Sequence, residues 1–223
     1  MEKQNPSSKI FCVGNFKTGT TSYSMAMRML GFRDIHFPLK YVEHLMAGGE
    51  TRWDVRPWDS MSNMNEIEYP LMDEAYPDSK FVLTTRNVDR WLVSIQKHMA
   101  TKWPTRLKKL LDWRSELVFG VPCEIDAFDE AHFRQRFLKH REEVRDYFFN
   151  KPGRLLVLPL ESPTKMEDLS RFLGKHIPYP RMNATPADGF ASPGIPVSVE
   201  NATKEGYPHE IHFLRFEEEI KWG

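Results

Sequence analysis

Residues 13–22 read VGNFKTGTTS. Gly14 and Gly19 keep the glycine spacing of the phosphate-binding loop G-x-x-x-x-G-K-[ST], whose backbone N–H groups cradle phosphates while its lysine reaches the terminal ones. Thr20 occupies the position of that lysine, and the lysine sits further in, at Lys17. Thr18, Thr20, Thr21 and Ser22 place hydroxyls around the second glycine. The cradle is kept and its charge is relocated, so the loop is built for an anion that wants its cation elsewhere.

The loop's surroundings place it in a fold. KIFCVG (9–14) is a short apolar run feeding the glycines, and TTSYSMAMRMLGF (20–32) follows with helical spacing and Gly31 as its stop. RDIHF (33–37) reads as a second strand and FPLKYVEHLMAG (37–48) as a second helix. The segment from Glu50 to Asn65 has no clear period and reads as loop with one short strand. EIEYPLMDEAYPDS (66–79) reads as a helix interrupted at Pro70 and stopped at Pro77. KFVLTTR (80–86) is the strongest strand, rich in β-branched and aromatic residues, and VDRWLVSIQKHMA (88–100) repeats apolar residues at helical spacing. Helices are expected over 104–118 and 129–149, the latter with Phe133, Phe137, Val144 and Phe148 as a buried stripe. RLLVLPL (154–160) is another strand, followed by a helix over 164–174. Proline, glycine and small polar residues dominate 179–208, and YPHEIHFLRFEEEIKW reads as an amphipathic helix.

Strands alternating with helices, with the glycine loop at the first strand's carboxyl end, predict an α/β fold. It has three layers, a mostly parallel sheet with helices on both faces, in a P-loop nucleotide-binding architecture. Ligands in such sheets bind outside the carboxyl ends of the strands, where residues 14–21, Arg86 and Asn87 all fall. The 223 residues are expected to form one domain, with 1–8 as a flexible N-terminus and 179–210 as a lid. Thirty-one basic and 31 acidic side chains cancel, which argues against an electrostatic nucleic-acid binder. Any anionic partner is therefore met by a local pocket. Cys12 and Cys123 are too few for a disulfide framework, and Cys12 reads as a buried thiol. No apolar run approaches the roughly 18 residues that span a bilayer, so a cytoplasmic protein is expected.

A magnesium-ATP site of the P-loop type also needs an acidic metal ligand closing an apolar strand. KFVLTTR ends instead in arginine, and RLLVLPLE offers only Glu161 beyond a proline. No metal ligand set is expected, so a ligand's charge must be met by lysine, arginine, hydroxyl and backbone N–H groups.

KTGTTS after an apolar strand, paired with Arg86 and Ser94 in RNVDRWLVS, resembles the two cofactor motifs of sulfotransferases that use 3′-phosphoadenosine 5′-phosphosulfate (PAPS). EAYPDSKFVLTTRNVDRWLVSI and RLLVLPLESPTKMEDLSRFLGKHIPYP resemble further segments of the small single-domain, P-loop-fold members of that family. The resemblance implies that Lys17 binds the 5′-phosphosulfate and its bridging oxygen. By the same resemblance Thr18, Gly19, Thr20, Thr21 and the neighbouring Ser22 hold the 5′-phosphate, and Arg86 and Ser94 grip the 3′-phosphate. The product would be 3′,5′-adenosine diphosphate (PAP). Arginine's bidentate fork and a helix start suit the 3′-phosphate physically.

The implied chemistry is in-line transfer of a sulfuryl group to a hydroxyl or amine of a small-molecule or glycan-like acceptor. Lys17 is the leading catalytic candidate, stabilising charge on the bridging oxygen. For the general base, Asp34 and His36 in RDIHFP sit at i and i+2 of a strand, on one side of it, and are similar to the E-x-H-F context of sugar sulfotransferases. Glu66 and Glu68 are alternatives. Trp53 and Trp58 read as core-closing aromatics or as stacking partners for acceptor or adenine. His140 reads as a helix-face residue with a structural hydrogen bond, and Lys102, Arg106, Lys108 and Lys109 as a solvated face or an attractor for an acidic acceptor. The family's late R-K-G-x-x-G-x-W-K segment has only a vague substitute in SVENATKEG, with Lys204 and Gly206, and the C-terminal dimer motif is missing, so oligomeric state stays open. Two rival readings remain at this level: a P-loop kinase with a displaced lysine, and a noncatalytic nucleotide-binding or interaction protein on the same fold.

Overall fold

The computed structural model describes residues 8–49, 55, 57–64 and 66–175. Five strands, β1 (Ile10–Cys12), β2 (Asp34–His36), β3 (Ser60–Ser62), β4 (Lys80–Thr85) and β5 (Leu155–Pro159), form one sheet in the order β2-β3-β1-β4-β5. Every neighbouring pair is parallel. Among the described residues seven α-helices connect and cover them: α1 (Thr20–Met29), α2 (Leu39–Met46), α3 (Tyr69–Ala75), α4 (Val88–Met99), α5 (Thr105–Phe119), α6 (Glu130–Phe148) and α7 (Lys165–Leu173). The fold is α/β with a parallel sheet between helical layers.

The period-2 alternation of each strand splits the core in two. Ile10, Cys12 and Val82 pack on one face with Tyr23, Met27 and Leu169 of α1 and α7. Phe11 and Phe81 point to the opposite face, where their rings meet Tyr76 and Phe148. Beyond them Trp91 of α4 stacks on Phe137 of α6 at 4.2 Å and meets Phe119 of α5 at 5.9 Å.

Several elements differ from the sequence-based expectation, each for a local reason. The helix expected over 37–48 begins at Leu39. The residue before a proline is kept out of the helical region, and Phe37, preceding Pro38, takes φ 50° instead. The helix expected over 66–79 runs from Tyr69 to Ala75, and Pro70 lies in its first turn, where a missing N–H costs nothing. Pro70 therefore starts this helix rather than interrupting it. Within the segment 50–65 the short strand is Ser60–Ser62, placed between β2 and β1 inside the sheet. His140 joins Phe133, Phe137, Val144 and Phe148 on the buried stripe of α6, and its Nε2–H donates to the Val13 carbonyl at 2.8 Å. Cys12 is fully buried, its Sγ 3.6 Å from Thr84 Oγ1. The expected N-terminal flexible residues, the 179–210 lid, the terminal helix, Trp53, Lys204 and Gly206 lie outside the described residues. Among the described residues no helix is long and apolar enough to cross a membrane.

Candidate active site

The strand order makes a crevice. From β1 the chain turns through α1 towards β2 on one side of the sheet, whereas from β4 it proceeds to β5 on the other. Neighbouring β1 and β4 thus send their following loops apart, and their carboxyl ends flank the topological switch point where open α/β sheets bind ligands. The glycine loop follows β1, and Arg86 follows β4.

Both loop glycines are required by geometry. A Cβ at Gly14 would overlap the hydroxyl and carbonyl oxygens of Thr84, so the loop lies against β4 only because that position is bare. Gly19 takes φ 92° as the residue preceding α1, in the left-handed region open to glycine. Lys17 also has a positive φ, 66°, uncommon for a residue with a side chain.

The loop is braced from below. Thr18 Oγ1 donates to the Asn15 carbonyl at 2.5 Å and lies 2.8 Å from Thr84 Oγ1, while the Thr18 N–H also turns to Asn15, at 3.3 Å. Thr18 is thus a structural tie inside the loop rather than a hydroxyl facing a ligand, and its backbone donor is occupied. Trp91 Nε1 donates to the Phe16 carbonyl at 2.8 Å, anchoring the loop to α4. Beneath Phe16 the Arg114 guanidinium lies 4.2 Å from the ring centroid and pairs with Glu66, both charges buried.

The two helix starts near the crevice differ. The first turn of α1 has no side-chain cap and no acidic residue, the arrangement at a helix start that suits an anion. At α4, by contrast, Asn87 Oδ1 accepts from the N–H groups of Asp89 and Arg90, and Asp89 adds a negative charge to the first turn. The helix-start donors expected to help Arg86 are therefore already taken. Ser94 lies in the second turn of α4, one turn from Trp91 on the face that meets the loop.

The charges concentrate on one spot. Arg86 Nη1 donates to the Lys17 carbonyl at 3.3 Å, and burial, followed by the neighbouring guanidinium, lowers the Lys17 ammonium below its ordinary 10.5. Among the described residues no hydrogen bond or ion pair engages Lys17 Nζ. Arg86 Nε is buried without a hydrogen-bond partner and has only Glu161 at 3.9 Å, whose carboxylate also accepts from the Asn87 N–H at 3.2 Å. Both side-chain amide atoms of Asn15 and Thr85 Oγ1 are likewise buried and unpartnered. Buried polar groups are normally satisfied. These orphans lie where β1 and β4 end. No three of His, Cys, Asp and Glu converge as a metal-ion group among the described residues.

On the other flank of the loop, Thr20 Oγ1 donates to Asn63 Oδ1 at 3.4 Å, and Thr21 Oγ1 lies 3.4 Å from His36 Nε2. His36 Nδ1 meets Ser62 Oγ at 2.9 Å, and Ser62 Oγ donates to Asp34 Oδ2 at 3.1 Å. Asp34 and His36 are thereby brought to one side of β2, beside the start of α1. Burial, then the charges of Arg114 and Arg28, lowers the imidazole to about 3, while burial raises the Asp34 carboxyl. The alternative carboxylates are engaged elsewhere: Glu66 with Arg114, and Glu68 with Tyr41, whose hydroxyl donates to it at 2.6 Å. Arg106 pairs with Glu43, and Lys108 with Asp112 and Glu124, so half of the expected basic run is neutralised on the surface. Sequence reasoning missed Ser62 and the following Asn63 because β3 is only three residues long, and missed Trp91 because a helical tryptophan reads as core.

Fold and site together define an α/β protein of P-loop architecture with a relocated cation. The chain belongs to the family described as "Sulfotransferase domain", whose model matches residues 9–187. It is 26% identical over 144 residues to Ava biosynthesis cluster protein M of Aspergillus versicolor, a match covering 56% of this chain and 50% of that protein. The chain thus spans about half the length of that relative. Among solved structures it is similar to a gluconokinase from Sinorhizobium meliloti 1021, at 13% identity and a TM-score of 0.37, covering 77% of this chain and 94% of that one.

Proposed function

We propose that the protein transfers a sulfuryl group from PAPS to a hydroxyl or amine of a small-molecule or glycan-like acceptor. The observation that carries this reading is the pair of cations Lys17 and Arg86, brought together at the loop that leads into the uncapped start of α1. Two like charges held together, one with a buried unpartnered N–H, call for an anion with two negative ends. A nucleotide phosphorylated at both 3′ and 5′ positions meets that demand.

The N–H groups opening α1, with the hydroxyls of Thr20, Thr21 and Ser22, would hold the 5′-phosphate, and Arg86 with Ser94 the 3′-phosphate. Lys17 would lie at the bridging oxygen. PAPS, when bound, supplies the activated sulfuryl group and leaves as PAP. Lys17 stabilises the negative charge that develops beside it, acting in a partly desolvated crevice where a fixed cation is worth more than in water. His36 is the residue we assign to take the acceptor's proton, because the glutamates are held in other pairs. Its neutral state leaves a nitrogen lone pair for that task.

The test exploits the 3′-phosphate. Thermal unfolding of the purified protein should shift upward with PAP far more than with adenosine 5′-monophosphate, and Arg86→Ala should abolish the difference. Equal shifts with both nucleotides would overturn the assignment of Arg86 and with it this reading.

A further inference from the structure

We propose that Ser62 is a positioning residue that links Asp34 to His36 and fixes the ring proton on Nδ1, leaving Nε2 as the proton-accepting nitrogen beside the phosphate-binding loop. This rests on the reading of His36 as the base, and it adds a residue and a tautomer to it.

The link follows from strand register. Parallel β2 and β3 pair Asp34 with Ser60 and His36 with Ser62, so side chains two apart on β2 lie beside side chains two apart on β3, all on one face. Ser62 Oγ lies between them, 3.1 Å from Asp34 Oδ2 and 2.9 Å from His36 Nδ1. A hydroxyl has one hydrogen. Ser62 gives it to the carboxylate, which accepts and cannot donate, so towards His36 it presents only a lone pair. Nδ1 must then be the protonated nitrogen, and Nε2, 3.4 Å from Thr21 Oγ1 at the start of α1, carries the free electron pair.

The arrangement is shielded. Ser62 is 0% and Asp34 2% exposed, so water does not compete for these bonds. The charges acting on the ring are those of Arg114 of α5 and Arg28 of α1, and Asp34 on its own strand reaches it through Ser62. Burial first, and then the two arginines, keep the ring neutral. In the reaction the acceptor's O–H bond breaks, its oxygen keeps the electron pair, and the proton ends on Nε2. The resulting positive ring faces a serine oxygen polarised by Asp34. A carboxylate two hydrogen bonds away thus stabilises the imidazolium through Ser62, whereas the third residue of hydrolase triads bonds the ring N–H directly.

Nitrogen NMR of the histidine side chains in the full-length protein, alongside calorimetric binding of PAP, tests this. The unaltered protein should show His36 protonated at Nδ1, and Ser62→Ala should lose that preference while PAP affinity stays within about twofold. His36 found protonated at Nε2 in the unaltered protein overturns the link, and this measurement does not depend on the variant folding. A Ser62→Ala protein that keeps the Nδ1 proton also overturns it. If the Nδ1 proton is present and lost in the variant but PAP does not bind, the link stands and the sulfotransferase reading falls.

Discussion

At the residue scale, Lys17 combines two roles that oppose each other. Its φ of 66° costs an L-residue about 1–2 kcal/mol, and its ammonium is held near another cation. Strain of this kind at a binding loop is tolerated where it positions a functional group. Lys17→Gly should therefore raise stability by about 0.5–1 kcal/mol, glycine's greater unfolded-state entropy offsetting part of the relief. The same variant should weaken PAP binding at least about tenfold, the worth of a charge-assisted contact. Denaturant unfolding and calorimetry on one preparation check both signs. Glu68 gives a second prediction. Burial raises its carboxyl from 4.5 to about 7 against the Tyr41 hydrogen bond. Because the folded state binds the proton more tightly, the stabilisation is fully present below pH 4.5 and is lost as the pH rises through about 7. Thermal unfolding between pH 5 and 8 should show Glu68→Gln with a flatter profile than the natural protein; parallel profiles would contradict the assignment.

At the element scale, the loop's position depends on its neighbours more than on its own residues. Trp91 ties α4 to the Phe16 carbonyl, and Thr18 ties the loop to β4. Trp91→Phe keeps the ring stack on Phe137 but removes the indole N–H, so it should cost about 1 kcal/mol of stability and leave the buried Phe16 carbonyl unpaired. PAP affinity should fall several-fold with it, whereas an unchanged affinity would mean the loop holds its shape unaided. Much of this scale was legible in the sequence. The glycine spacing and the run KFVLTTR located β1, its loop and β4, because each carries a strong local signal. β3 was nearly silent: Ser-Met-Ser is too short and has a single apolar residue, and its place is set by pairing with β1 and β2. With β3 went Ser62 and Asn63, which is why Asp34 and His36 could be named from the sequence while the residue joining them could not. Pro70 misled for a related reason. A proline looks alike at the start of a helix and in its interior until neighbouring turns decide which it is.

At the scale of the whole molecule, the site is a product of sheet order. Placing β3 and β4 on either side of β1 brings Asp34, His36 and Ser62 of β2 and β3 to one flank of the glycine loop and Arg86, following β4, to the other. The expected alternation of strands and helices implied a parallel sheet, but not which strand lies beside which, and that order converts scattered motifs into one crevice. The measurement that tests the account most directly is calorimetric titration of the natural protein with PAP in the absence of metal, beside ATP with magnesium. The account predicts PAP binding without metal and at least about tenfold more tightly than magnesium ATP, with the preference lost in Arg86→Ala. Preferential binding of magnesium ATP would contradict it and favour a phosphoryl-transfer enzyme, and failure to bind either nucleotide would contradict it in favour of a noncatalytic member of the family.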